Sequence, residues 1–171
     1  MKAKLIIEDK EIEIEISEEE YKKLHPSEEK KTGYGRVPEN SEFYYEHSRG
    51  DVEASIDEYC NIDDKYYESA NYYSSETVAE NNTRADKLMR QLRRFSVEHR
   101  EREVDFNNTN TEKYYIYYNY DYESDELWVS SVFYSKSFGT IYFDSKETAN
   151  AAINEFHDEL VWYFTEYKDS L

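Results

Sequence analysis

The residues available for a core constrain this chain more than any motif does. Leu, Ile, Val and Phe supply 33 of its 171 residues, against a formal charge of −18. A chain so poor in aliphatic surface and so highly charged stays disordered unless other side chains are buried. Its 19 tyrosines and 2 tryptophans are the remaining source of apolar area, since each ring combines a large apolar surface with a polar tip that seeks a partner. They lie beside strand-like and helical patterns, so the sequence predicts a folded α+β protein with an aromatic-rich core.

Those patterns recur. When the sequence is shifted by about 70 positions, Tyr44 and Tyr45 fall on Tyr114 and Tyr115, Asp51 and Glu53 on Asp121 and Glu123, and Tyr72, Ser75 and Ala79 on Tyr142, Ser145 and Ala149. Each half reads as two strands, a short aromatic strand, a Ser or Asp cap and a helix, a βββα unit. In the first half the short strand lies around Tyr72 and Tyr73, and the helix carries Val78, Ala85, Leu88, Leu92 and Phe95 at helical spacing. In the second half the strands are 114–120, 126–133 and 140–143. Asp144 or Ser145 then caps a helix bearing Ala149, Ile153, Phe156, Leu160, Phe164 and Tyr167. Each helix is expected to lie across its own sheet. Phe156→Ala is then expected to cost roughly 3–5 kcal/mol, and Glu159→Ala on the opposite face no more than about 0.5.

Ahead of the repeat, residues 5–16 alternate apolar and charged around Asp9 and Lys10, with Ile12, Ile14 and Ile16 on one face, which predicts a hairpin. Ser17 and Glu20 form a capping box for a short helix over 18–24, stopped by Pro26. The expected layout is an N-terminal hairpin and helix (1–25), a linker (26–41) and two sheet-helix halves (42–105 and 106–171). A unit of about 60 residues buries too little surface to stand alone, so the halves should share a core or dock tightly.

Little in the sequence points to chemistry. The first 16 residues lack the apolar run of a signal peptide or membrane span, which leads to the expectation of a cytoplasmic protein. Cys60 has no second cysteine to pair with, and His25, His47, His99 and His157 are too dispersed for a structural zinc site. Asn119, Asp121, Glu123 and Asp125 alternate like part of a calcium loop without its glycine. No glycine-rich phosphate loop is present. No catalytic residue, metal or cofactor is assigned, and the chain is not expected to be an enzyme.

With pI near 4.6, the protein is repelled by nucleic acid and anionic membranes and attracted to basic proteins, among them proteins that handle nucleic acid. Carboxylates interleaved with tyrosine anchors are one way to occupy a groove built for nucleic acid. The candidate contact residues are Tyr117, Tyr120, Asp121, Tyr122, Glu123, Asp125 and Glu126. Against the acidic average, Arg84, Lys87, Arg90, Arg93 and Arg94 line the first-half helix, followed by Arg100 and Arg102. This face either pairs with carboxylates of the same molecule or meets an acidic protein, nucleic acid or a second copy of the chain.

Three segments carry a resemblance. One is Met1-Lys2-Ala3-Lys4-Leu5-Ile6-Ile7-Glu8-Asp9-Lys10 with residues 12–23, the second is 79–95, including Arg84-Ala85-Asp86-Lys87-Leu88-Met89-Arg90, and the third is 138–147 continuing to 159–164. In these the chain resembles a family of uncharacterised phage and prophage proteins from Gram-positive bacteria. The resemblance implies an accessory gene of a mobile element, in a group enriched in inhibitors of host defence such as anti-CRISPR proteins. It therefore implies a non-enzymatic inhibitor of a host nuclease in the bacterial cytoplasm, such as a DNA mimic that acts on a CRISPR nuclease. The alternative is a phage nucleic-acid accessory protein working through its basic helix.

Overall fold

A computed structural model describes residues 2–7, 10–15, 17, 32–121 and 124–170, which fall into two units, Met1–Thr32 and Gly33–Leu171. In the first unit, β1 (Lys2–Ile7) pairs antiparallel with β2 (Lys10–Glu15), with Leu5 opposite Ile12 and Ala3 opposite Ile14. The hairpin thus follows the alternation that predicted it. Ile16 and the helix expected over 18–24 lie outside the described residues.

The second unit is α+β. A hairpin of β3 (Ser41–Glu46) and β4 (Val52–Asp57) precedes α1 (Asn61–Glu68) and the long α2 (Glu76–His99). A second hairpin, β5 (Lys113–Asp121) and β6 (Ser124–Val132), precedes α3 (Lys146–Glu155) and α4 (His157–Thr165). Part of the stretch expected as linker belongs to this unit. Val37 is buried, and the Gly33 carbonyl accepts from the Ser74 N–H at 2.8 Å. Gly33 has φ of 89°, and a Cβ there would stand 2.6 Å from Val78 Cγ2. Only glycine fits both demands.

Each expected third strand is reduced to one bridge, Tyr44 to Tyr73 in the first half and Tyr114 to Phe143 in the second. The reason is the helix that follows. Ser75 accepts from the Val78 N–H and Ser145 from the Thr148 N–H, so the chain leaves the sheet two residues after the bridge. In the first half the side chain of Asn71 lengthens the pairing, accepting from the Glu46 N–H at 2.7 Å and donating to the Glu46 carbonyl at 2.9 Å. Its amide thus copies the contacts of a strand residue.

The helices do not each cover their own sheet. At 24 residues, α2 is about 36 Å long, whereas the six-residue strands of the first hairpin reach about 20 Å. The helix outruns that sheet. Its start packs Val78 and Ala79 with Tyr73, Tyr44 and Val52. Farther along, Leu88 and Leu92 join Phe143, Ala149, Ala152 and Leu160 in the main core, closed by Tyr114, Ile116, Leu127 and Val129 from the second hairpin. The final helix, expected to be continuous, breaks at Phe156, whose φ and ψ of −115° and 23° end α3, and Asp158 and Glu159 begin the next.

This placement revises one expected cost. Phe143 is 1% exposed, whereas Phe156 is half-buried against Phe95, with ring centroids 5.7 Å apart. Phe143→Ala should lower stability by about 3–5 kcal/mol and Phe156→Ala by about 2 kcal/mol, measured by urea unfolding.

Candidate protein-interaction surface

Strongly perturbed ionisable groups mark chemistry in many proteins, and here they hold the fold together. Asp57 is fully buried and accepts from Arg36 Nε at 2.9 Å and Nη2 at 3.1 Å, from the Tyr72 hydroxyl at 2.8 Å and from the Tyr59 N–H. The Arg36 guanidinium holds the Asp57 carboxyl down at about 2. Arg36 also donates to Asp64 at 2.7 Å and lies 4.4 Å from the centroid of the Tyr59 ring. This hub ties 36–37 to the end of β4 and the start of α1. Both oxygens of Asp57 are occupied, so it acts as structure.

Lys113, 1% exposed, plays a comparable part in the second half. Its ammonium donates to the carbonyls of Asn108, Thr111 and Phe133 at 2.5, 2.8 and 2.7 Å. Asp144 is also buried, and burial pushes its carboxyl up, but the N–H groups of Glu101 and Arg102 and the Thr148 hydroxyl outweigh this and leave it below the usual range. Among the described residues no group of three His, Cys, Asp or Glu side chains could hold a metal ion, and no helix is long and apolar enough to cross a membrane.

The basic residues of α2 separate on inspection. Arg84 pairs with Glu159 at 2.8 Å and lies 3.9 Å from the centroid of the Trp162 ring. Arg90 pairs with Glu46 at 2.7 Å and Arg94 with Glu98 at 3.8 Å. Lys87 and Arg93 are exposed and have no ion-pair partner among the described residues. Arg102 donates to the carbonyl of Asp144 at 2.6 Å. Much of this face is therefore engaged within the molecule. A nucleic acid would have to compete for Arg84, Arg90 and Arg94.

The acidic and tyrosine candidates lie at the far end of the β5–β6 hairpin, on two faces of it. Alternation places Lys113, Tyr115, Tyr117 and Asn119 on the face away from the helices, opposite Val132, Ser130, Trp128 and Glu126. Tyr117 and Glu126 thus share the outer face with Trp128, which the sequence reading had not selected. Tyr120 belongs to the other face. Its ring packs 4.9 Å from that of Tyr118, and its hydroxyl donates to the Phe164 carbonyl. Asp121 and Asp125 lie at the end of the ladder, opposite Ser124 and Tyr120 respectively, and Tyr122 and Glu123 lie outside the described residues.

The outer faces of the two hairpins are finished differently. In the first half, α1 lays Tyr66 over the outer face, 4.5 Å from the Tyr45 ring and 5.9 Å from Phe43, while Tyr72 stacks on Phe43 at 4.3 Å. Phe43 is then fully buried. In the second half Tyr142 lies 6.0 Å from Tyr115, with Phe106 edge-on to it, and no helix follows β6 before the bridge at Phe143. Tyr117 is 37% and Trp128 46% exposed. Phe133, Tyr134 and Phe138, which follow in the chain, are also exposed, the last fully. From Leu127 through Phe143 there is no carboxylate, and Lys136 is the only charged residue, in a chain with 39 acidic residues. This acid-free stretch was visible in the sequence. What composition could not show was that four of its rings, Trp128, Phe133, Tyr134 and Phe138, are exposed.

No known protein family, curated protein or solved structure matches the chain.

The Arg36–Asp57 contact has a pH signature. Asp57 is held below its unfolded value, so its contribution of about 2 kcal/mol is complete above pH 4–5 and lost as pH falls toward 2. Asp57→Asn should therefore be less stable than the parent at neutral pH by about 3 kcal/mol. That gap should narrow by about 2 kcal/mol between pH 5 and pH 2 in urea titrations, whereas a constant gap would show that the carboxylate's ionisation is immaterial.

Proposed function

We propose that this chain is a non-enzymatic protein-binding module that docks through the outer face of the β5–β6 hairpin and the adjoining 133–138 segment. The observation that carries the reading is the difference between the two outer faces. The first is sealed by α1, while the second leaves Tyr117 and Trp128 exposed, with Trp128 at the start of a stretch without carboxylates. Buried aromatic anchors supply most of the affinity in protein interfaces. An acidic periphery adds steering toward a basic partner.

The partner class follows from charge. With −18 overall, the module is suited to a basic protein that handles nucleic acid. The likeness to phage and prophage proteins makes a host defence nuclease, such as a CRISPR nuclease, the specific candidate, met in the bacterial cytoplasm. Glu126, beside Trp128 on the outer face, would then extend toward surface meant for a phosphate backbone.

The reading also takes the two halves as diverged copies of one βββα unit. Correspondences seventy positions apart support it. Tyr44 donates to Glu42 as Tyr114 does to Glu112, Ser75 and Ser145 are both N-caps, and Ala79 and Ala149 are both completely buried. The copy without a covering helix is the one that binds.

Affinity capture from host lysate supplemented with nuclease tests the function. The parent chain should recover a basic nucleic-acid enzyme in a salt-sensitive manner, and Trp128→Ala combined with Tyr117→Ala should reduce recovery at least about tenfold, as expected for loss of aromatic anchors. Failure of the parent chain to recover such a protein, with phage plating unaffected by its expression, would refute the reading. If charge reversal at Arg90, Arg93 and Arg94 abolished capture while the aromatic variant kept it, the working surface would be α2.

A further inference from the structure

A cavity of about 310 Å³ opens into the main core of the second unit. Leu88, Leu92, Phe143 and Leu160 form its walls, each no more than 5% exposed, while Met89, half-buried, and Phe138, fully exposed, also line it. We infer that this cavity is a binding site for a small, uncharged, largely apolar molecule built on one or two rings. The inference does not rest on the docking reading: Phe138 belongs to both, but the walls formed by Leu88, Leu92, Phe143 and Leu160 lie on the helix side of β5, opposite the face that carries Tyr117 and Trp128.

Chemistry and size define the ligand. No charged residue lines the cavity, although 35% of the chain is charged, so an ionised ligand would lose its hydration with no partner to replace it. Thr140 and Tyr163 bring the only side-chain hydroxyls in the lining, enough to orient one polar substituent. The volume lies at the lower end of the range for small-molecule sites, roughly 300–1,000 Å³. Phe138 supplies the means of closure. A fully exposed phenylalanine is solvated at a cost, and it precedes Gly139, whose φ is 76° and whose surroundings hold no atom within 4 Å of an added Cβ. A ligand in the cavity would give that ring an apolar surface to cover.

Titration of the full chain with N-phenyl-1-naphthylamine, a neutral fluorescent two-ring probe, tests the site. The expected result is saturable one-to-one binding with enhanced, blue-shifted emission. Probe addition should also shift the Met89 methyl resonance. Met89→Trp, which places an indole at the cavity lining, should weaken binding at least tenfold, while Trp128→Ala should leave it unchanged. Non-saturable binding by the folded parent chain would overturn the proposal. So would full binding by a Met89→Trp variant whose thermal midpoint matches the parent's, or loss of binding in Trp128→Ala.

Discussion

The contact of Leu88 and Leu92 with Phe143, Ala149, Ala152 and Leu160 holds the second unit together. It exists because α2 is longer than the sheet that begins its half, so part of its apolar face has to be covered by residues far along the chain. Burial of such side chains contributes about 1.5–3 kcal/mol each, and here the contributions come from both halves at once. The inner face of neither hairpin is closed without the helix between them. The reliance on tyrosine has the same origin. With few aliphatic residues available, the smaller clusters are built from rings such as Phe43, Tyr72 and Tyr66, and the tyrosine hydroxyls must be paired as they are buried.

That pairing explains where the polar groups sit. Tyr72 is almost completely buried and its hydroxyl both donates to Asp57 and accepts from the Val37 N–H, so the ring can enter the core only with the Arg36–Asp57 hub beside it. Tyr142 meets the same requirement more simply, accepting from the Ser137 N–H at 2.8 Å. A core built from tyrosine thus fixes nearby backbone as well as side chains.

Local features were the most legible in the sequence. The caps at Ser75 and Ser145, the alternation in the hairpins and the apolar stripes of the helices depend on neighbours within a few positions, and they led to the correct elements. The expected third strands failed because their pairing rests on one residue and, in the first half, on the Asn71 side chain. Helix α1 went unread because only Ile62, Tyr66 and Tyr67 interrupt its polar residues, too few for a clear period. The engagement of Arg84 and Arg90 was hidden for another reason, since Glu159 and Glu46 are 75 and 44 residues away. In the candidate surface, tyrosine content drew attention to the right hairpin, but alternation divided the chosen residues between two faces. The exposure of Trp128 was not legible because it depends on the absence of a covering helix.

The sharing of α2 also bears on how the unit comes apart. A helix that closes two sheets cannot fray deeply from either without exposing part of the other's core, so the most protected amide hydrogens should cluster around Leu88 and Leu92 and exchange through opening of the whole unit. Hydrogens at the end of the β5–β6 ladder, around Asn119 and Glu126, should exchange through smaller openings. The distal end of the β5–β6 ladder can therefore change shape while the middle of the molecule stays fixed.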